Sequence, residues 1–323
     1  MKPLRIGVRW LCLALLLVAH NLWAQAWPAK TVRIVVPFAP GALTDIAARA
    51  LAVELTEQLG QQFIVENKGG AGGTLGTHDV ARSAPDGSSF AFTDSSFMIS
   101  AGLYPKLPYD PLKDLVPVTL AVEAAAILIA RLELPARNVR ELVALAKAKP
   151  RTLTYGSGGQ GSSAHLAMEL LLIQVGAEMV HVPFKGVAAA IADVLGGRID
   201  VSISSVGAAL GQVKGGKVRA LAVTGKERLP SLPEVPTFAE SGFPDYDMVY
   251  RFGFLAPAAT PPAIITRMRE EVAKAGNKPR VRELLTPQGA RAVASTPAQY
   301  AALIEREMRM WKTVIDEAGV KVE

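Results

Sequence analysis

The stretch VPFAPGALTDIAARALA, residues 36–52, joins an apolar strand, an almost uncharged glycine-bearing turn and a helix. The β-branched run at 31–37 predicts a buried strand, and apolar residues at helical spacing from Ile46 onward predict the helix. Thr44 or Asp45 is the expected N-cap. Such a turn presents backbone N–H groups at the positive end of a helix dipole, which suits an anion.

The same succession of elements recurs along the chain. A strand at 62–66, a glycine-rich loop at 66–76 that runs into a helix, and a strand within 86–94 complete a strand–helix–strand–helix–strand start. This order predicts a parallel α/β sheet. Proline-rich stretches at 103–118 and 228–248 bracket further β/α units. We therefore predict an α/β fold with two lobes, a ligand cleft between them and two crossing segments.

The predicted boundaries follow from these segments. Lobe 1 is expected at 27–127 and 249–323, and lobe 2 at 128–248. Residues 1–26 combine a cationic start, an apolar run and the small-residue sequence AQA. This pattern predicts a cleaved secretory signal peptide, with a retained membrane anchor as the alternative.

Composition narrows the class of protein. The chain has 323 residues, of which 50% are hydrophobic, enough for two compact domains. Its only cysteine, Cys12, lies in the predicted signal peptide, so the mature chain is expected to lack disulfides and thiolate metal sites. This favours the periplasm. Without Lys2, Arg5 and Arg9, 32 basic residues face 29 acidic ones, a net charge of +3 that gives a nucleic-acid partner little support.

Several enzyme motifs are incomplete. The glycines at 69–73 are not followed by the Lys-Ser/Thr of a phosphate-binding loop. The glycine pattern at 156–161 lacks a dinucleotide-binding acid at the end of the next strand, because Glu178 precedes that strand. No serine-hydrolase elbow is evident, and the histidines beyond the signal show no metal-ligand spacing. We predict neither a metal nor a cofactor.

A second glycine-rich loop, YGSGGQGSS at 155–163, also leads from a strand into a helix. Ser162 or Ser163 can cap that helix, whose N-terminal amides face the loop. If it faces the 38–45 turn across a cleft, the two loops could hold the carboxylate ends of one small acid. Alternatively, both are only tight strand–helix turns. His165 either contacts the ligand or bonds nearby backbone.

Seven collinear blocks carry a resemblance to a known family. They are VPFAPGALTD, VENKGGAGGTLGTHDVARSAPDG, LYPKLPYDPLKDLVPVTL, YGSGGQGSSAHLAMEL, VHVPFKGVAAAIADVLGGRIDV, VKGGKVRALAVTGKERLPSLPEVPTFAESGFPDY and FGFLAPAATPP. Together they resemble the substrate-binding proteins of tripartite tricarboxylate transporters, the Bug or TctC family. The resemblance implies a fold like the type II periplasmic binding proteins. It also implies a receptor that captures a small carboxylated solute and passes it to a membrane permease.

The resemblance also implies which residues bind the ligand. The expected contacts are Phe38, Ala39, Gly41, Ala42 and Asp45 in lobe 1, and Ser157, Gly158, Ser162, Ser163 and His165 in lobe 2. The residues expected to select the ligand are Asp94, Ser95, Ser204, Ser205 and Arg251.

The chain departs from the family pattern at three places. Ala42 stands where a glycine is usual, and it would narrow the pocket or shift the turn if its φ is positive. Residues 201–205 lack the acid expected in amino-acid receptors, which favours a simple organic acid, although Asp94 could take that role. Arg251 stands where relatives often carry tryptophan. It could pair with a second carboxylate, or be a surface arginine.

These observations predict a monomeric extracytoplasmic receptor for a small organic acid. Permease subunits are the implied partners, and a signalling role beside a sensor kinase is also possible. Mono-, di- and tricarboxylates, aromatic acids and nicotinate-like acids all fit. The alternative function is a secreted α/β hydrolase or isomerase with His165 or Asp45 as base. A structural scaffold without a small ligand is the third possibility.

Overall fold

The computed structural model describes residues 27–322, so the predicted signal peptide lies outside the described residues. The strands are β1 Val32–Val36, β2 Phe63–Asn67, β3 Ser89–Thr93, β4 Leu115–Ala130, β5 Thr154–Ser157, β6 Val180–Pro183, β7 Val201–Ser205, β8 Arg219–Val223, β9 Val249–Pro257 and β10 Ala290–Ala292. The α-helices are α1 Leu43–Leu59, α2 Thr74–Ala81, α3 Ser96–Leu103, α4 Val139–Ala148, α5 Ser163–Val175, α6 Val187–Leu195, α7 Val206–Lys214, α8 Pro262–Gly276, α9 Pro279–Leu285 and α10 Pro297–Glu317. Among residues 27–322, no helix combines the length and the apolar character needed to span a membrane.

The strands form one curled mixed sheet with the order β2-β1-β3-β9-β4-β7-β5-β6, and β8 and β10 also pair with β4. The first three strands are parallel to one another, as are β5, β6 and β7, whereas β9 and β4 run antiparallel to their neighbours. Strand β4 pairs with β9 as far as Ala125, and from Ala126 onward with β7 and β8. The α/β fold predicted from the sequence is confirmed, and we call the strands on the β9 side lobe 1 and those on the β7 side lobe 2.

The connection between the lobes differs from the prediction. The sequence suggested an irregular segment at 103–118 and a short strand at 125–130. The structure instead has one 16-residue strand that includes Pro117. The register against β9 shifts between Pro117 and Thr119, and a proline is tolerated at such a bulge because it has no N–H to donate. The proline-rich stretch 228–248 packs on lobe 2, where the Tyr246 hydroxyl donates to the carbonyl of Ala167 at 2.8 Å.

Helix α10 lies against both lobes and contacts α3, β4 and α5. A capping box fixes its start, in which Thr296 Oγ1 accepts from the Gln299 amide and the Gln299 side chain accepts from the Thr296 amide. Ile304, Trp311, Val314 and Ile315 lie on its buried face. The helix therefore provides a rigid support behind the edge of the sheet where the candidate site lies.

Candidate functional site

Five helices begin where a parallel strand ends. They are α1 after β1, α3 after β3, α5 after β5, α6 after β6 and α7 after β7. In open α/β sheets the ligand lies outside the carboxyl ends of the strands, near the N-termini of the following helices. All the loops named from the sequence as ligand contacts belong to this edge.

Four of these helix ends have no cap from the side chain of the N-cap residue; at α3 the first amide, that of Ser96, bonds Asp94 instead, which leaves three with free amides. Their N-cap residues are Ala42 for α1, Gly186 for α6 and Ser205 for α7. Among the other helices, Asn138 caps α4 and Thr296 caps α10, whereas α2, α8 and α9 have no side-chain cap. Helices α8 and α9 begin with a proline, which lacks one of the amides that a cap or a ligand would bond. The uncapped ends at the carboxyl edge keep backbone amides that can bond an anion.

Asp45 holds the turn between β1 and α1 from inside. Its carboxylate accepts hydrogen bonds from the Gly41 amide (3.0 Å), Arg49 Nε (3.0 Å) and Asn67 Nδ2 (2.9 Å). Asn67 Nδ2 also donates to the carbonyl of Phe38 at 3.1 Å. Burial alone would raise the pKa of Asp45, but these hydrogen bonds outweigh it and lower the pKa. Asp45 is therefore ionised. Its exposed fraction is 4%, and its carboxylate already accepts hydrogen bonds from the protein.

The start of α1 corrects two expectations. Ala42, with no side-chain cap, is the N-cap, so the prediction of Thr44 or Asp45 is wrong. Ala42 has φ −70° and ψ 160°, so its methyl group causes no backbone strain, and the positive φ (+88°) falls on Gly41. The first helical hydrogen bond ends on the carbonyl of Ala42, which leaves the first three amides of α1, from Leu43 on, without a partner in the helix.

A narrow crevice with about 150 Å³ of unfilled space lies beside this turn. It is lined by Pro37, Gly72, Gly73, Thr77, Thr93, Ser96, Phe97, Ser100 and Tyr109. A Cβ on Gly73 would lie 3.1 Å from the Phe38 ring, so the loop before α2 packs closely on the turn. The crevice has no room for a water-sized sphere, so a bound solute would lie outside it or widen it. Apart from the loop glycines, the sequence carried no signal for these residues.

The glycine-rich loop of lobe 2 is held by the helix that follows it. Ser162 Oγ accepts from the His165 amide at 3.3 Å, so Ser162 is the cap predicted for α5. The Gly161 amide donates to His165 Nδ1 at 3.0 Å. The His165 side chain is 2% exposed. Its contacts agree with the interpretation that it bonds nearby backbone.

Ser157, at the end of β5, is fully buried and bonds two neighbours. Its Oγ lies 2.7 Å from His181 Nε2 and accepts from the Gly159 amide at 3.2 Å. Sequence reasoning did not connect Ser157 with His181, because the pairing of β5 with β6 brings them together. A hydroxyl enclosed in this way contributes to the shape of the loop.

A cluster of stacked and bonded side chains lies beneath this loop. The His165 and His181 rings are parallel within 6° and 3.7 Å apart between centroids. The Tyr155 hydroxyl donates to Glu169 Oε1, and His165 Nε2 lies 3.7 Å from the same oxygen. Burial would raise the pKa of Glu169, but the bonds from His165 and Tyr155 lower it. Burial lowers the pKa of His181 to about 4.

Two glycines of the loop make close approaches to other elements. A Cβ on Gly158 would lie 3.3 Å from the amide nitrogen of Val187, so the loop lies against the uncapped start of α6. A Cβ on Gly161 would lie 2.5 Å from Leu103 Cδ2 and 3.3 Å from Val322 Cγ1. Leu103 ends α3 in lobe 1, so the lobe 2 loop touches lobe 1 at the candidate site.

The residues expected to select the ligand make mostly internal bonds. Ser95 Oγ accepts from the Arg251 amide at 3.0 Å, and Ser204 Oγ donates to the carbonyl of Ser205 at 3.2 Å. Asp94 Oδ1 accepts from the amide (2.9 Å) and the hydroxyl (2.6 Å) of Ser96. Burial raises the pKa of Asp94 in spite of these bonds. Within residues 27–322 no salt bridge reaches this carboxyl.

Arg251 contradicts one of its two sequence interpretations, that of a surface arginine. Its side chain is 6% exposed, so it is not a surface arginine. The guanidinium pairs with Glu307 on α10, and lies 3.9 Å from Glu123 on β4 and 3.6 Å from Asp247. Burial raises the pKa of Glu307, although Arg251 acts in the opposite direction. Carboxylates of the protein surround the guanidinium, but its buried Nε makes no hydrogen bond to any residue that the structure describes.

Comparison with known proteins agrees with the fold. The profile of the family described as "Tripartite tricarboxylate transporter family receptor" matches residues 47–320. Protein BugT of Bordetella pertussis is 36% identical over 308 residues, covering 95% of this chain and 94% of that protein. The solved structure of the periplasmic binding protein BugD has a TM-score of 0.77 at 33% identity, covering 92% of this chain and 100% of BugD.

Two further solved structures contain small acids. An R. palustris protein with adipate has a TM-score of 0.80 at 33% identity, covering 91% of this chain and 99% of that one. MatC from Rhodopseudomonas palustris with bound malate has a TM-score of 0.76 at 33% identity, covering 90% of this chain and 100% of that one. Both ligands are dicarboxylic acids.

Proposed function

The chain belongs to the tripartite tricarboxylate transporter family of receptors, and from this premise we propose that it binds a small organic acid in the periplasm and releases it unchanged. The adipate and malate seen in two similar proteins support this ligand class. A ligand with two carboxylates matches a site that takes helix N-termini from both lobes.

The observation that carries the proposal is the distribution of helix caps. Helix α1 in lobe 1 and helices α6 and α7 in lobe 2 leave their first amides without a side-chain cap at the carboxyl edge of the sheet. Backbone amides and the helix dipole attract an anion without a cation that would have to be desolvated. The proposed contacts are therefore main-chain groups of the turn at 38–45, the loop at 157–163 and the starts of α6 and α7.

The alternative enzymatic function loses support from its own candidate bases. Asp45 accepts three hydrogen bonds and has a lowered pKa, so it is a weak base. His165 uses Nδ1 to accept from Gly161 and is 2% exposed. The Ser157 hydroxyl beside His181 is fully buried, so a substrate has no direct access to it. We propose that the protein is a binder without a catalytic residue.

Further parts of the proposal concern export and motion. We propose that residues 1–26 are cleaved on export, that the mature protein is a monomer, and that it delivers the acid to permease subunits. Closure of the lobes would occur about β4 and β9, near the point where β4 changes partners. A hinge there leaves both loops intact while changing the distance between them.

The substitution Ala42→Ser tests the proposed anion site. A serine at the N-cap accepts from an amide of the first turn, so it should stabilise the unliganded protein by about 1 kcal/mol while occupying a donor that the ligand needs. We expect affinity for the bound acid to fall about tenfold, equivalent to about 1.4 kcal/mol. The measurement is calorimetric titration of malate, adipate, acetate and glutamate, with analysis of the compound recovered after binding.

The matched control is Lys278→Ser at the uncapped start of α9. Helix α9 packs on the far half of α1 through Arg280, which pairs with Glu54 and Glu57. The control should change stability without changing affinity. Equal affinity in wild type and Ala42→Ser would remove α1 from the site, and recovery of a converted compound would overturn the receptor function.

A further inference from the structure

The glycine-rich loop before α5 needs an external constraint to keep its shape. Residues 156–161 contain four glycines, and Gly159 and Gly161 have φ of +130° and +71°. Glycine populates many backbone conformations, so such a loop loses considerable entropy when it is fixed. Its bonds to the histidine pair therefore decide whether its amides stay in position for a ligand.

His165 supplies one of these constraints as an acceptor. The Gly161 amide donates to Nδ1, and an imidazole accepts at Nδ1 only when it is neutral with its proton on Nε2. That proton faces Glu169, whose Oε1 lies 3.7 Å from Nε2. A ring protonated on both nitrogens would present N–H to N–H at Gly161 and break the bond.

The surrounding groups hold the ring in this orientation. His181 on β6 stacks on one face at 3.7 Å, and Tyr155 on β5 fixes Glu169 through its hydroxyl. From lobe 1, the groups closest to Gly161 are the apolar side chains of Leu103 and Val322.

We infer that His165 is a positioning residue: as an acceptor at Nδ1 it fixes the Gly161 amide and with it the lobe 2 half of the anion site. The inference rests on the proposed function for its ligand, but the geometry of the loop can be measured without one. His165 thus acts on the ligand through the backbone and does not touch it.

The test compares three variants. His165→Asn keeps an oxygen acceptor near the position of Nδ1 at every pH, His165→Leu removes the acceptor, and His78→Leu removes a histidine of lobe 1 outside the cluster. Amide hydrogen exchange over residues 158–164 is measured first, on ligand-free protein. We expect exchange about tenfold faster in His165→Leu, and within about twofold of wild type in His165→Asn and His78→Leu.

The second readout is the affinity for malate of the same four proteins at neutral pH. His165→Leu should bind malate about tenfold more weakly than wild type, and His165→Asn should bind it within about twofold of wild type. Unchanged exchange in His165→Leu, or equal damage in His165→Asn, would overturn the inference. ¹⁵N spectra showing the proton on Nδ1 would do the same. If malate and adipate fail to bind while the exchange pattern holds, the ligand class is wrong and the role of His165 stands.

Discussion

Replacing Glu307 by leucine should leave Arg251 as an inadequately paired charge in the interior. The two side chains are 6% and 3% exposed, and Glu307 is the nearest carboxylate to the guanidinium. The remaining carboxylates are more distant, at 3.9 Å for Glu123 and 3.6 Å for Asp247, which is 71% exposed. Removing one member of a buried ion pair costs about 3–5 kcal/mol. Because two carboxylates remain, we expect about 3 kcal/mol for Glu307→Leu.

The double variant Arg251→Met with Glu307→Leu distinguishes the free-energy cost of burying the two charges from the gain of pairing them. Two apolar side chains of similar volume remove both charges, so its stability should lie within about 1 kcal/mol of wild type. The coupling energy is obtained from urea denaturation of the four proteins in a double-mutant cycle. The exposed pair Arg309 and Glu305, 3.7 Å apart on the same helix, is the matched control and should contribute less than about 0.5 kcal/mol.

A cost below about 1 kcal/mol for Glu307→Leu would refute the reasoning, because it would mean that the pair is solvated. The same proteins test the sequence hypothesis for Arg251. If Arg251 binds a second ligand carboxylate, the double variant loses affinity for malate and adipate far more than for acetate. If the arginine is structural, as its partners indicate, all three affinities change together or remain unchanged.

Two further predictions use other sites. Gly161→Ala should destabilise the protein by about 1–2 kcal/mol, because φ is +71° and the new Cβ would lie 2.5 Å from Leu103 Cδ2. Thermal denaturation measures the loss of stability. Adding Leu103→Ala should recover only the part of the loss that comes from the clash with Leu103. His181 has a folded pKa of about 4, below its model-peptide value of 6.5, so between these values the unfolded chain binds more protons and stability falls as pH falls. Wild type should therefore lose at most about 3 kcal/mol more than His181→Phe on acidification from neutral pH to about pH 4, and parallel stability curves would contradict this.

The fold was predictable where local pattern and tertiary environment agree. Strand–turn–helix repeats produced the α/β class, and Ser162 followed the usual preference for a capping hydroxyl. The same preference failed at α1, where Ala42 is the N-cap and Asp45 points its carboxylate back at the turn. A local rule assumes that every helix start needs a cap of its own, whereas a site that binds anions leaves its amides available.

The other parts of the fold and of the candidate site depend on contacts between residues that are distant in the sequence. The strand β4 was divided in the prediction because Pro117 argues against a continuous strand, and only the bulge accommodates it. Helices α3, α7 and α9 and strand β10 are short, and the sequence pattern does not predict them. The cluster of Tyr155, Glu169 and His181 and the ion pairs of Arg251 join distant segments, so spacing along the chain carries no signal for them.

The single strand β4 has a mechanical consequence for the whole molecule. At the change of partners, the Ala125 amide bonds the carbonyl of Gly289 (2.9 Å) and the Ala126 amide bonds Thr224 Oγ1 (2.7 Å), one attachment to each lobe. Residues 124–126 are three consecutive alanines, whose small side chains need little space when the backbone rotates. Sliding of the strand along its axis would break both hydrogen bonds. A rotation about the backbone between Ala125 and Ala126 would preserve them. Larger side chains at these three alanines should therefore hinder the rotation of one lobe against the other before they alter the ligand contacts of either lobe.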